Sequence, residues 1–166
     1  MNHKPNSHTI SVLVANKPGV LVRIALVFAR RGYNIDSLVV SATVNPKFSR
    51  ITMTAKGDPE TLDQIIKNVN KLVDVQHCSE HDLSYSVEKE LALLKIKASP
   101  TAKSFLNKHS RKFHIKIDDT SDGHSIIEQT GTTAELDEFE DLVKKHGLVE
   151  MVRTGKVLMA KGREQT

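Results

Sequence analysis

The chain of 166 residues has no tryptophan, and its aromatic residues amount to only 4%. A protein that grips single-stranded nucleic acid displays aromatic platforms for the bases, so this shortage argues against that class. One cysteine is present, Cys78. A lone thiol forms no internal disulfide, and nothing in the sequence points to an oxidising compartment. No apolar run approaches the ~20 residues that a membrane-spanning helix needs. The opening stretch Met1-Asn2-His3-Lys4-Pro5-Asn6-Ser7 has no apolar segment after its charge, unlike a secretory leader, and the chain reads as cytosolic. Charge of one sign is not concentrated either. The net charge is +4 and Lys and Arg are scattered, as on a solvated surface rather than a nucleic-acid footprint. There is no Walker loop and no dinucleotide fingerprint, and spacing picks out no Ser-His-Asp or Cys-His arrangement. Asp118, Asp119 and Asp122 sit together in a polar stretch, where acids are ordinarily solvated.

What is present, 39% hydrophobic and 27% charged residues, suits a globular protein with one large core or two small ones. Ile10, Val12 and Val14 alternate with period two and predict a strand over 9–15. In Asn16-Lys17-Pro18-Gly19, Asn16 or Lys17 can cap a helix with Pro18 in its first turn. Leu21, Ile24, Ala25 and Phe28 then mark one helical face, stopped at Gly32. Residues 35–44 and 48–55 read as a hairpin around Asn45-Pro46-Lys47. Asp58 and Pro59 open a second helix with apolar residues Leu62, Ile65, Ile66, Val69 and Leu72, and 73–77 form a closing strand. The order βαββαβ is that of ferredoxin-like folds.

The second half repeats this order. A strand runs over 91–98, a weak helix starts at Ser99-Pro100, and Phe113, Ile115 and Ile117 alternate as a strand. Residues 118–123 read as a polar turn, followed by a strand through Ile126 and Ile127. Thr132 and Glu135 have capping-box spacing, the helix stops at Gly147, and the last clear strand is 148–152. The fold expected is therefore α+β, two tandem ferredoxin-like βαββαβ modules with antiparallel sheets and helices on one face. Residues 8–80 form the first module, 81–90 a polar linker and 91–159 the second, with frayed ends over 1–7 and 160–166. Modules of about 80 residues are small for independent stability, and such sheets leave an open face and open edges, so a homodimer at least is expected.

Chemistry concentrates in Asn16-Lys17-Pro18-Gly19-Val20-Leu21. A helix N-terminus carries free N–H groups and partial positive charge, which suits a carboxylate. Gly19 lets a ligand approach the backbone, and Asn16 offers an amide that donates and accepts. Together these fit a zwitterionic amino acid. Asn34 is a second neutral amide. In a dimer paired through the first helix and second strand, it reaches the loop of the other copy, with Val20, Leu21, Ile35 and Leu38 near a branched aliphatic side chain. Each element also has a plain reading: Asn-x-Pro-Gly as turn and cap chemistry, Asn34 as a turn residue, Val20 and Leu21 as core. His77, Ser79 and His81 share one face of a strand, short of the three or four convergent ligands of a metal site; exposed residues are the simpler account, and no metal ligand is assigned.

Several segments together resemble the regulatory (small) subunit of acetohydroxyacid synthase, also called acetolactate synthase, in the ACT-domain family. They are Asn16 to Leu21, Phe28-Ala29-Arg30-Arg31-Gly32-Tyr33-Asn34-Ile35, Ser49-Arg50-Ile51-Thr52, Lys71-Leu72-Val73-Asp74-Val75, Val87 to Ile96, and Thr130-Gly131. The likeness spans nearly the whole chain; Thr101 to His114 departs most from it. It implies an N-terminal ACT domain, a C-terminal ACT-like domain and no catalysis of the chain's own. The partner would be a catalytic large subunit carrying thiamine diphosphate, Mg²⁺ and FAD, which the chain activates and subjects to feedback inhibition by valine or another branched-chain amino acid. Asn16, Gly19 and Asn34 would hold the effector's charged ends, and Lys17, Pro18, Val20, Leu21 and Ile35 would line the site. The alternative is an ACT-domain sensor of amino acids or metal that regulates another enzyme or transcription. A nucleic-acid module on the same topology would want exposed aromatics on its central strands, where this chain has Ile10, Val12, Val14, Ile51, Met53 and Ala55.

Overall fold

The computed structural model describes residues 7–164 and 166. Its elements are β1 (Ser7–Ala15), α1 (Val20–Ala29), β2 (Asn34–Ala42), β3 (Phe48–Lys56), α2 (Pro59–Val69), β4 (Val75–Glu80), a 3-10 turn (Leu83–Tyr85), β5 (Ser86–Lys97), α3 (Pro100–His109), β6 (Ile115–Ser121), β7 (His124–Gly131), α4 (Thr133–Lys144), β8 (Leu148–Arg153) and β9 (Val157–Ala160). The described residues form two compact units, 7–88 with 155–164 and 166, and 89–154.

In the first unit the strand order is β2-β3-β1-β4, all neighbours antiparallel. Period-two alternation sends Ile10, Val12 and Val14 of β1 and Ile51, Met53 and Ala55 of β3 to one face. There they meet Ile24 and Phe28 of α1 and Leu62, Ile65 and Val69 of α2 in one buried cluster. Burying each such side chain contributes about 1.5–3 kcal/mol. α2 begins as its sequence dictates: Asp58 is the N-cap and accepts from the Thr61 N–H at 2.8 Å, with Pro59 in the first turn. α1 ends at Gly32, which takes φ +71, while the Gly32 and Tyr33 N–H groups close onto the Ala29 and Phe28 carbonyls.

The other face of this sheet is not bare. Thr9, Ser11, Thr52 and Thr54 point away from the helices yet are buried. Residues 155–166 of the same unit return to it, and Gly155 lies so close to Ser37 that an added Cβ would meet the serine Cβ at 2.8 Å. β9 pairs with β5. The returning segment is tied by Lys161 N–H to the Tyr85 carbonyl and by a 2.7 Å ion pair between Lys156 and Glu88. The end expected to fray from 160 is thus held at Ala160 and Lys161. At the other end, 1–6 lie outside the described residues, and Ser7 already belongs to β1.

The second unit has the order β6-β7-β5-β8 and its own core, with Ala92, Leu94 and Ile96 of β5, Ile127 of β7, Leu106 of α3, and Leu136, Phe139 and Val143 of α4. Together the two units make two tandem ferredoxin-like modules. Two local expectations are corrected. Phe113 is not on the strand: its N–H continues the α3 turn onto the His109 carbonyl, and its ring packs on Phe139 at 5.1 Å, so β6 starts at Ile115. The polar stretch 118–123 is strand as far as Ser121. β6 is an edge strand with exposed side chains, so polarity there does not signal a turn. The turn itself is Asp122-Gly123, both at positive φ, as a tight hairpin requires. The stretch 81–90 carries the 3-10 turn and the start of β5. Its Glu90 is buried because Arg153 and Thr133 meet its carboxylate.

Candidate functional site

Among the described residues, three of the four α-helices are closed at their N-termini by a side chain: Asp58 for α2, Ser99 for α3 and Thr132 for α4. The entry of α1 differs. Its N-cap is Gly19 at φ +82 and ψ −11, with no side-chain cap and no acid in the first turn. The cap expected at Asn16 or Lys17 is therefore three or two residues later. Those residues are already committed: the Asn16 N–H donates to the Lys47 carbonyl and the Lys17 N–H to the Ala15 carbonyl. Pro18 consequently precedes the helix. Among the described residues, the N–H groups of Val20, Leu21 and Val22 have no capping side chain, and the partial positive charge of the helix end is uncompensated by a cap.

The loop is nevertheless pinned. The Asn16 side-chain N–H donates to the Pro46 carbonyl at 3.1 Å, joining the loop to the β2–β3 connection. Ala15 donates its N–H to the Asp74 carbonyl. The Asp74 carboxylate pairs with the Arg23 guanidinium, and Lys17 Nζ is 3.8 Å away. Both cations are exposed, so these pairs contribute modestly to stability. Their value is positional. A Cβ built on Gly19 would have only Arg23 Nη1 near it, at 3.8 Å. The glycine backbone is thus open to a ligand, with two cations at its side. Arg23 and Asp74 are absent from the set of site residues expected from the sequence. Arg23 is four residues after Gly19, a spacing that shares a helix face and is legible in the sequence. Asp74 is 51 residues from Arg23, and only the fold brings them together.

The other residues of the set are dispersed. Val20 is 3% exposed and belongs to the core, Ile35 packs partly against that core, and Leu21 is more than a third exposed. Asn34 opens β2 and donates to Asp36 at 3.0 Å, while Asp36, paired with Lys56, has its carboxyl held below the usual carboxylate range by that contact. Asn34 lies beside Lys56, which faces Ser7, whereas the loop follows Ala15 beside Phe48. The length of β1 separates these rows, about 26 Å at ~3.3 Å per residue. Asn34 and Gly19 therefore occupy opposite ends of one sheet, and one chain cannot bring them to a common ligand.

His77 and Ser79 lie on the outer face of β4, and His81 follows the strand's last residue, Glu80, with its ring beside Ser79 and Ser11. His81 Nε2 shares hydrogen bonds with Ser11 Oγ at 2.6 Å and Ser79 Oγ at 3.3 Å. Burial, then Arg50 and His77, push the His81 imidazole below its usual pKa. Among the described residues no three His, Cys, Asp or Glu side chains are grouped to hold a metal ion, and no helix is long and apolar enough to cross a membrane.

Comparison with known proteins agrees with this architecture. Residues 10–77 match the AHAS small subunit-like ACT domain, and 89–162 match the family described as small subunit of acetolactate synthase. The probable acetolactate synthase small subunit of Archaeoglobus fulgidus is 42% identical over 95% of this chain and 99% of its own length. The acetolactate synthase small subunit of Mycolicibacterium smegmatis is 37% identical over 98% and 95%. The crystal structure of the Thermotoga maritima acetolactate synthase small subunit superposes with a TM-score of 0.85 at 37% identity, covering 96% of this chain and 99% of that one. With both modules matched in order by family models and by relatives over at least 95% of its length, the chain belongs to the family of acetolactate synthase small subunits.

Proposed function

We propose that this protein is a regulatory subunit with no active site of its own, which activates the catalytic large subunit of acetolactate synthase and makes it sensitive to valine or another branched-chain amino acid. The observation that carries the reading is the uncapped entry of α1: free N–H groups, an open glycine backbone, and Arg23 and Lys17 alongside. An α-carboxylate fits there as it does at other helix N-termini. The ammonium end needs an acceptor, and the Asn34 amide of a second copy supplies one. In an antiparallel homodimer paired along α1 and β2, the Asn34 end of one module meets the Gly19 end of the other. The first module, 8–80, is then the effector-binding part, followed by the connection 81–90 and the second module, 91–159. Thiamine diphosphate, Mg²⁺ and FAD belong to the catalytic partner, and the complex works in the cytosol.

The test is calorimetric titration of valine into the protein, with Gly19→Asp and Gly19→Ala compared. Gly19→Asp places a carboxylate where the effector's own should sit. Gly19→Ala reproduces only the strain of a side chain at positive φ, about 1–2 kcal/mol. Expected is saturable valine binding in the wild type, weakened in Gly19→Ala and abolished in Gly19→Asp, which still activates the catalytic subunit. Wild-type affinity in Gly19→Asp would place the effector elsewhere.

A further inference from the structure

We propose a second ligand site in the first unit, built from residues other than those of the α1 loop, for a small organic anion held by Arg50. The Ser49-Arg50-Ile51-Thr52 run lies on β3, with Ile51 in the core and Arg50 and Thr52 on the outer face. The returning segment 155–166 covers that face incompletely. Towards the β2–β3 connection it leaves a cavity of about 620 Å³, whose walls include Val39, Ser41, Arg50, Thr52 and Leu158. That is within the ~300–1,000 Å³ usual for small-molecule pockets.

Arg50 is partly buried, and burial alone lowers its pKa. Its backbone pairs with Leu13 and Ser41 in the sheet, but among the described residues its guanidinium has no hydrogen bond and no ion pair. A guanidinium carries five N–H donors in a planar fork, and withdrawing that charge from water without a counter-charge is unfavourable. An anion in the cavity resolves this. Glu164, also on the wall, is exposed and forms no ion pair with Arg50. The hydroxyls of Ser41 and Thr52 are further donors on the wall, whereas the nearby Thr43 hydroxyl already donates to the Asn45 carbonyl. Val39 and Leu158 offer an apolar wall for an aliphatic body. Arg50 also acts on the neighbouring His81 as a like charge. The ligand class is a small carboxylate or phosphate, since the guanidinium fork matches either bidentately.

Calorimetric titration of the full chain with sodium isovalerate and, separately, with inorganic phosphate tests this, using Arg50→Gln, Arg50→Lys and Gly19→Asp. Expected is saturable binding of at least one probe, weakened about tenfold or more in Arg50→Gln, as loss of a charged hydrogen-bonding partner implies. Gly19→Asp should bind that probe within about threefold of wild type, separating this site from the α1 loop. The tighter probe identifies carboxylate or phosphate as the natural head group. Arg50→Lys keeps the charge and protects the fold, and is expected to bind several-fold more weakly because the two-pronged contact is gone. Failure of both probes to saturate, unchanged affinity in Arg50→Gln or Arg50→Lys, or loss of binding in Gly19→Asp would each overturn the proposal.

Discussion

Cys78 sits on β4 with its side chain in the first core, 2% exposed, and burial pushes its thiol pKa up to about 12. Its role is packing, and the thiolate that would react is suppressed. Native protein at pH 8 should therefore resist iodoacetamide and be labelled only when denaturant opens the core, as mass spectrometry would read out. Labelling of native protein at the rate of a free thiol would contradict this placement. Gly57 shows a different constraint. Its φ is ordinary, but an added Cβ would fall 2.1 Å from the Tyr33 ring, whose hydroxyl donates to the Asp58 carbonyl. Nothing near Gly57 in the sequence announces this, because Tyr33 is brought there by β2 and the end of α1. Asn16 is intermediate. Its place in the loop follows from local turn chemistry, but its bond to Pro46 depends on the hairpin beside it.

Helix entries are largely legible in the sequence, because caps act over three or four residues. Asp58, Ser99 and Thr132 are all N-caps. Thr132 and Glu135 form the full capping box, with the Thr132 N–H donating to Glu135 at 2.7 Å. That backbone contact, then the Thr132 hydroxyl, holds the Glu135 carboxyl below its usual pKa. The sign follows directly. A carboxyl whose folded pKa is depressed stabilises the fold fully above its unfolded value of about 4.3 and loses that contribution as pH falls through the folded value. Glu135→Gln should accordingly differ from wild type in stability at pH 7 and converge with it well below pH 4, as chemical denaturation at the two pH values would show. Thr132→Ala should cost about 1 kcal/mol. A Glu135→Gln difference that grew towards acid pH would contradict the assignment. The α1 entry lies beyond the position its local chemistry suggests. Asn16 has a side chain suited to a cap, but its amide donates to the Pro46 carbonyl and its backbone N–H to the Lys47 carbonyl.

The first module alone does not assemble its proposed effector site, because Gly19 and Asn34 lie at opposite ends of its sheet. The surface between those ends is suited to a second copy. β2 is an edge strand, and Leu38 and Val40 on it, with Leu21, Val22 and Leu26 on α1, leave large apolar side chains exposed. Edges and apolar patches of this kind favour association. Leu26→Glu combined with Val40→Glu should convert a dimer to monomer in sedimentation equilibrium and weaken valine binding with it. A double variant that stays dimeric, or a monomer that binds valine as tightly as wild type, would refute the shared site. On the proposed function, feedback inhibition would follow from linkage: valine would inhibit only as far as it prefers one arrangement of the complex, and coupling of about 1–3 kcal/mol would give roughly 5- to 150-fold effects.

The alternation of Ile10, Val12 and Val14, the glycine stop at Gly32, the caps of α2, α3 and α4 and the βαββαβ order are short-range statements about hydrophobic period and backbone chemistry. The amino-acid order settles them because the forces involved act within a turn or a strand. The burial of Thr9, Ser11, Thr52 and Thr54 on a face expected to be open, the pairing of Arg23 with Asp74 and the solitary Arg50 guanidinium among the described residues belong to the tertiary structure. Each depends on residues far apart in the chain meeting across the sheet. Whether a polar side chain is covered, paired or left with a cavity before it is decided by which segment returns to that face, and here it is 155–166.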